Sequence, residues 1–317
     1  MVSTAFIVFN LIFSIYVHGT QFRQFGRIKK LFHKFRKLTA NFDRWLPMDE
    51  VNYLPQLAKF TLRTFFFSIV YESYHLFSVS FVAPNKFSIC SILAFVLPNF
   101  IVKFYPDIFY GGMLVAHFYF HQMNKEVKLI LNTAIEQKSS WQENMNVITA
   151  LSEKLENVAV HYFQLIEIVK EFNSITSFRV LLWLFILLLN FVVHLFMQYV
   201  FVGVSLQHGQ KINVAISITG LIDTMLQLFE FWLTTSICSR LSNEISQTEI
   251  MLSSMYLHLR HSDHVQFKEK MFMIANRIKH ENLEITGSKL FVIDSRLIFA
   301  IISSTFSYLM ILIQFEL

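Results

Sequence analysis

The sequence predicts an all-α fold, a polytopic helical membrane protein with six transmembrane helices and long cytosolic helical extensions. Three observations predict it. Of 317 residues, 54% are hydrophobic and only 15% charged, where ordinary soluble domains carry roughly 25% charged residues. Thirty-six phenylalanines stand against eight glycines and five prolines, a composition poor in the turn formers of a loop-rich enzyme. Six stretches approach or reach the roughly 20 apolar residues that a spanning helix needs. The mean hydropathy of +0.46 agrees with these.

The first stretch, Val2 to Val17, is uncharged and slightly short. The second, Thr64 to Val82, contains only Glu72 as a charge, and the third, Phe87 to Tyr110, carries Lys103 and Asp107 near its end. The fourth, Val180 to Val204, is the cleanest; the fifth, Ile212 to Ile237, holds Asp223 and Glu230; the last, Leu297 to Phe315, has no charge. Lysine and arginine fix the orientation, since they concentrate in cytoplasmic loops. The loop after the first stretch carries Arg23, Arg27, Lys29, Lys30, Lys34, Arg36, Lys37, Arg44 and Lys59, the second loop only Lys86. The third and fifth loops are again rich and the fourth has only Lys211. Loops one, three and five are therefore expected in the cytosol, with both termini outside. The net charge of +5 is sorted by membrane side and gives no reason to invoke nucleic acid. No basic residue precedes the first stretch, so it reads as an anchor and not as a cleaved signal. Cys90 and Cys238 fall at opposite membrane ends, which argues against a disulfide between them, and no Asn-x-Ser/Thr sequon occurs.

The cytosolic segments are patterned. Apolar or aromatic residues recur at Ile148, Leu151, Leu155, Val158, Tyr162, Leu165, Val169 and Phe172, then at Leu241, Ile245, Thr248, Leu252, Met255 and Leu259, then at Phe267, Met271, Ile274 and Ile278. Sustained 3.5-residue spacing lets helices pack along one seam. The spanning helices therefore continue into the cytosol as a packed bundle, and the seams serve either a core within one subunit or an interface between subunits. The basic stretch after the first span interleaves Phe22, Phe25, Leu31, Phe32, Phe35 and Leu38 with its cations, a pattern suited to a helix lying against anionic lipid or to a solvated topogenic loop.

In the last stretch, Ser307, Met310 or Ile311, and Gln314 share one helical face. Facing lipid, the Gln314 amide would have unsatisfied polar atoms. Facing a water-filled axis built by several subunits it is solvated, and bulky residues one turn deeper can close the path by dewetting.

The ending "SYLMILIQF", Ser307 to Phe315, resembles the final-helix signature of insect gustatory receptors: Thr-Tyr, five apolar residues, then Gln-Phe. "GSKLFVIDSRLIFAIISSTF" (Gly287 to Phe306) is similar to the family's approach to that helix, and "SNEISQTEIMLSSM" (Ser242 to Met255) resembles the stretch after the penultimate one. The resemblance implies a ligand-gated, non-selective cation channel opened by a small chemical stimulus. The assembly it implies is a homo- or hetero-tetramer with other gustatory receptors, in the plasma membrane of chemosensory neurons. Gln314 would line the pore with Ser307, the gate would be formed near Met310, Ile311 and Ile313, and Tyr308 and Phe315 would be motif residues that pack the helix. Ser307 stands where the family has threonine. Leu309 follows the tyrosine where sugar-sensing members carry glutamate, which argues against a sugar as ligand. The family has seven membrane helices; aligned from the C-terminus, the first stretch here matches the family's second, so the first is expected to be lacking. The implied organisation is residues 1–120 as membrane helices one to three with their basic loop, 121–178 as a cytosolic extension, 179–237 as membrane helices four and five, 238–290 as cytosolic anchor helices and 291–317 as the pore-lining helix.

Ionisable groups in a spanning helix are candidate functional residues, since each costs roughly 2.5–3.5 kcal/mol to insert. Asp223, Gln227 and Glu230 share one face of the fifth stretch, Glu72 and His75 one face of the second near Tyr71 and Tyr74, and His194 and Gln198 one side of the fourth. Tyr71, Tyr74, His75, Asn99, His194, Gln198, Asp223 and Gln227 fall at the depth of the family's outer pocket, where they serve a small-molecule tastant or hydrogen-bond one another between helices. Glu230 lies deeper.

No hydrolase elbow, phosphate loop, metalloprotease helix or dinucleotide fingerprint occurs, so an enzyme is not expected and neither is a cofactor. The "HLRHSDH" run (His258, His261, Asp263, His264) sits where two seams break and reads as an exposed turn; His117 and His121, at i and i+4, are a weak metal pair. Two alternatives remain: a non-conducting modulatory subunit, and a secondary transporter. The latter usually has paired interrupted helices, and only the third stretch is interrupted, by Pro98, Pro106 and Gly111-Gly112.

Overall fold

A computed structural model describes residues 2–45, 54–71, 73, 89–136, 145–207, 214–258, 265–281 and 283–316. The fold is all-α. Among the described residues seven helices follow one another: α1 (Val2–Trp45), α2 (Leu54–Phe65, continued by a π-helical segment Phe66–Tyr71), α3 (Ile89–Glu136), α4 (Met145–Gln207), α5 (Val214–His258), α6 (Val265–Glu281) and α7 (Arg296–Glu316). A two-stranded antiparallel hairpin, β1 (Thr286–Gly287) and β2 (Phe291–Val292), joins α6 to α7 with Thr286 opposite Val292 and Gly287 opposite Phe291.

The length of α4 follows from its sequence. Sixty-three residues run without a proline and with one glycine, Gly203, so nothing breaks the i to i−4 ladder over about 95 Å. It joins the seam at Ile148–Phe172 to the apolar stretch at Val180–Val204 in one piece. Among the described residues it is the one helix with a segment long and apolar enough to cross a membrane, within Asn146–Val200, and only 33% of that segment is buried inside the subunit. A core helix of a soluble protein would bury most of such a surface. The apolar run in α7, Arg296–Ile311, is shorter.

α3 departs from expectation. Pro98, Pro106, Gly111 and Gly112 do not interrupt it; the helix runs unbroken through all four. Neighbouring helices tolerate such residues by supplying local partners, and the two glycines serve close packing. A Cβ on Gly111 would stand 2.6 Å from the Phe60 ring of α2, and one on Gly112 would overlap the Phe172 ring of α4.

The three seams fill a core within the single subunit. Leu241, Ile245, Thr248, Leu252 and Met255 of α5 are all buried, as are Ile148, Leu155, Val158, Tyr162, Leu165 and Val169 of α4 and Phe267, Met271 and Ile278 of α6. α1 adds Leu31, Leu38 and Phe42, with Phe42 edge-on to Tyr119 of α3 at 5.2 Å. Of the two readings left open for the seams, the intrasubunit core is the one that the buried residues fill. Leu259 and the His261–His264 run lie outside the described residues.

Candidate functional site: a buried charge cluster and the C-terminal helix

α7 is set in place from its first turn. The carboxylate of Asp294 accepts the Arg296 backbone N–H at 2.9 Å and Arg296 Nε at 2.7 Å, so Asp294 caps the helix. Ser239 of α5 accepts the Ser295 N–H at 3.0 Å, tying the start of α7 to α5. The hairpin before it turns through Ser288 and Lys289, both left-handed at φ 52° and 62°, a conformation costing an L-residue roughly 1–2 kcal/mol. Asn173 of α4 steadies that hairpin: with its nitrogen toward the carbonyl, its amide donates to Thr286 O and accepts from Thr286 N, both at 3.2 Å.

From there α7 presents two faces. Ile301 and Thr305 are buried against the bundle and Leu297 and Ile298 pack beside them. Ser307, Met310, Ile311 and Gln314 are exposed on the opposite side, and Ile313 is half-buried. Ser307 donates its hydroxyl to Ser303 O at 3.0 Å. Tyr308 is 54% exposed in the single subunit. Phe315 is helical, and its side chain lies outside what the structure describes.

A second constellation lies between α2, α3 and α5. Arg63 pairs with Asp107 through Nη1; its Nη2 donates to Thr234 Oγ1 at 3.0 Å and lies 4.0 Å from Glu230. Its guanidinium covers the Tyr110 ring at 4.2 Å and the Phe67 ring at 5.8 Å. Arg63, Asp107, Glu230 and Thr234 are all buried, and Arg63 Nε has no hydrogen-bond partner among the described residues. One cation thus faces two carboxylates away from water, where removing it takes a charge partner from both. Asp107 and Glu230 stood out in the sequence as charges inside apolar stretches. Arg63 did not, because it precedes the second stretch by one residue. The signal was the acids themselves: buried carboxylates require a cation at their own depth.

Farther along α3 and α5, His121 Nδ1 approaches Glu244 Oε1 at 2.9 Å and His117 Nε2 lies 3.8 Å from the same oxygen. Asn124 donates to Glu244 O and Oε2 at 2.8 Å each and accepts from Thr248, whose hydroxyl meets Tyr162 OH at 2.9 Å. Burial lowers the His117 pKa, opposed by Glu244 and assisted by the charges of His121 and Arg240. Among the described residues no group of three or more His, Cys, Asp or Glu is placed to hold a metal.

The pocket candidates from the sequence are only partly described. Tyr74 and His75 lie outside the described residues; Tyr71, Asn99 and Asp223 are described by backbone alone, all three helical. Gln198 lies directly over Gly220 of α5, where no Cβ could fit. His194 is half-buried and Gln227 buried. A groove of about 680 Å³ lies away from all of them, between α4 and α6, lined by Glu156, Phe163, Lys170, Lys270, Met273 and Arg277 among others.

The described residues thus form a bundle of long helices with a largely outward-facing apolar span, a buried charge cluster and a C-terminal helix anchored at its start and exposed toward its end. The family model described as 7tm Chemosensory receptor matches residues 1–317, the whole chain, and the protein belongs to that family. It is therefore a membrane protein of the chemoreceptor class, which binds small chemical ligands, and the family is not one of enzymes. No curated protein sequence matches the chain.

Proposed function

We propose that the chain is a subunit of a ligand-gated, non-selective cation channel, opened by a small chemical stimulus other than a sugar and assembled as a tetramer around α7. The observation that carries the reading is Gln314. It is the amide within the otherwise apolar run Leu309–Phe315 and is exposed on the face that α7 turns away from its own bundle. Hydrocarbon would leave that amide unsatisfied at several kcal/mol, whereas a wetted axis shared by several copies solvates it. Ser307, Met310 and Ile311 are exposed on the same side, so a ring of apolar side chains beside a polar ring is available to gate by dewetting. In this reading six helical segments span the membrane of a chemosensory neuron, and the basic segments after the first span, between the third and fourth and between the fifth and sixth are cytosolic. Tyr308 and Phe315 pack against neighbouring subunits. The ligand enters a pocket in the outer half of the bundle, away from the pore, near Tyr71, Tyr74, His75, Asn99, His194, Gln198, Asp223 and Gln227.

Patch recording from cells expressing the chain, alone and with a relative of the same family, tests this. A channel subunit gives stimulus-evoked cation current whose ion selectivity changes in Gln314→Ala at unaltered surface expression. Saturable uptake without unitary conductance marks a transporter and overturns the reading. A chain silent alone that alters a relative's current without any effect of Gln314→Ala is a modulatory subunit outside the pore.

A further inference from the structure

The basic stretch of α1 lies against the bundle in a way that sorts its side chains. Ile28, Leu31, Phe35, Leu38 and Phe42 all pack on the core, so Leu31, Phe35 and Leu38, which the sequence pattern offered to lipid, are taken by protein. Lys34 points the same way and is held by Glu171 at 2.8 Å and Glu167 at 3.2 Å of α4. What remains outward is a cationic sector. Arg23, Arg27, Lys29, Lys30, Arg36 and Lys37 are exposed, with His33 among them. Phe25 and Phe32, one heptad apart along its edge, are 65% and 69% exposed. None of these six cations has an acidic partner among the described residues, and the sequence holds no Asp or Glu from Val2 to Asn41.

The structure also relates this sector to the apolar stretch of α4. Arg179 of α4 immediately precedes the apolar stretch that begins at Val180, and it donates to Gln24 Oε1 at 3.1 Å and Thr20 Oγ1 at 3.4 Å. Tyr16 meets Phe178 edge-on at 5.3 Å. The polar edge of the span therefore lies at Thr20–Gln24 on α1. Arg27, Lys29 and Lys30 follow within about 10 Å along the helix, close to the Debye length of about 8 Å at physiological ionic strength. Phe25 sits at the edge of the span, where an exposed apolar ring of an interfacial helix can bury into the boundary between headgroups and acyl chains. Arg36 and Lys37 stand about 20 Å below the edge, within reach only of a headgroup that projects from the bilayer.

We propose that the outward face of α1 from Arg23 to Lys37 binds the phosphorylated headgroup of an anionic phospholipid of the adjacent leaflet, a phosphoinositide in chemical class. Multiple cations immediately beside a span attract such lipids by about 1 kcal/mol each, and phosphate monoesters match the paired donors of arginine. The position at the span edge and the exposed Phe25 favour lipid over an acidic protein. This goes beyond the channel reading and does not depend on conduction.

The test uses the full chain, purified in uncharged detergent, and a fluorescent phosphatidylinositol bisphosphate as probe, read by anisotropy. Binding is expected to weaken at least about tenfold in Arg23→Gln/Arg27→Gln/Lys29→Gln/Lys30→Gln. It should be unchanged in Lys125→Gln/Lys128→Gln, on exposed positions of α3, and should fall with added salt. Phe25→Ala should weaken the lipid probe but not soluble inositol trisphosphate. Equal affinity for lipid and soluble phosphate, with no effect of Phe25→Ala, would assign the face to a free phosphate and overturn the lipid. Competition by polyglutamate but not by inositol phosphate would assign it to an acidic protein. Equal loss in both sets of glutamine variants would reduce the effect to bulk charge. Since all the mutated side chains are exposed, the melting temperature should be shared by every variant; a quadruple variant that unfolds is replaced by the pairs Arg23→Gln/Arg27→Gln and Lys29→Gln/Lys30→Gln, each of which must weaken the probe.

Discussion

Arg63 shows how one side chain can hold three helices. Its guanidinium meets Asp107 of α3 and Thr234 and Glu230 of α5 while stacking on Tyr110. Removing the cation takes a charge partner from two buried carboxylates, so Arg63→Ala is expected to destabilise the fold by roughly 3–5 kcal/mol. A thermal melt of detergent-solubilised protein measures this. Arg63→Met/Asp107→Leu should recover part of the loss, because an apolar pair needs no compensation; an unchanged melt in Arg63→Ala would refute the assigned role. His117 makes a second prediction. Its folded pKa is lowered by burial, so the folded state resists protonation that the unfolded chain accepts. The stability from keeping it neutral is complete above the unfolded value of about 6.5 and is lost as pH falls through the lower folded value. Melting temperatures measured from pH 7.5 down to about 5 should fall, and fall less in His117→Gln, if this group contributes. Arg63 was invisible to a search of apolar windows because it lies one residue outside one. His117 and His121 were legible as a pair, but only the fold brings Glu244, 123 residues away in sequence from His121, between α3 and α5.

At the scale of elements, the sequence reads well where hydrophobic periodicity is long. The seam on α5 from Leu241 to Met255 is buried at every position named from its spacing. It reads less well where one residue type serves two ends. Gly111 and Gly112 look like a break by propensity, yet the helix continues, because the absent Cβ atoms admit the rings of Phe60 and Phe172. Gly112→Ala should therefore destabilise by about 1–3 kcal/mol through overpacking, although alanine is the better helix former. A melt that rises in this variant would show that the glycine is tolerated and not required. The basic segment of α1 teaches the same lesson in reverse. Its aromatic and cationic alternation was legible, but not which aromatics face protein; Phe35 and Phe42 lean on Tyr119 while Phe25 and Phe32 stay outside.

For the whole molecule, the filled seams give the far end of the bundle a core within one subunit. Leu252→Ala, at a fully enclosed position, should cost about 2–5 kcal/mol by leaving a cavity. It should do so without changing the number of subunits per particle, as counted by mass photometry. Dissociation with an unaltered melt would instead place that seam between subunits. The sequence by itself determined the class: composition and apolar length specify a helical membrane chain, because transfer free energy depends on what residues are present more than on how they meet. Spacing likewise determined which side of each long helix is buried, since 3.6 residues per turn tie position to face. Only the tertiary structure decided partners. Which cation neutralises Asp107, which ring fills the space at a glycine, and whether α7 turns Gln314 toward its own bundle or away from it are questions of distance between helices. Sequence spacing carries no record of those distances.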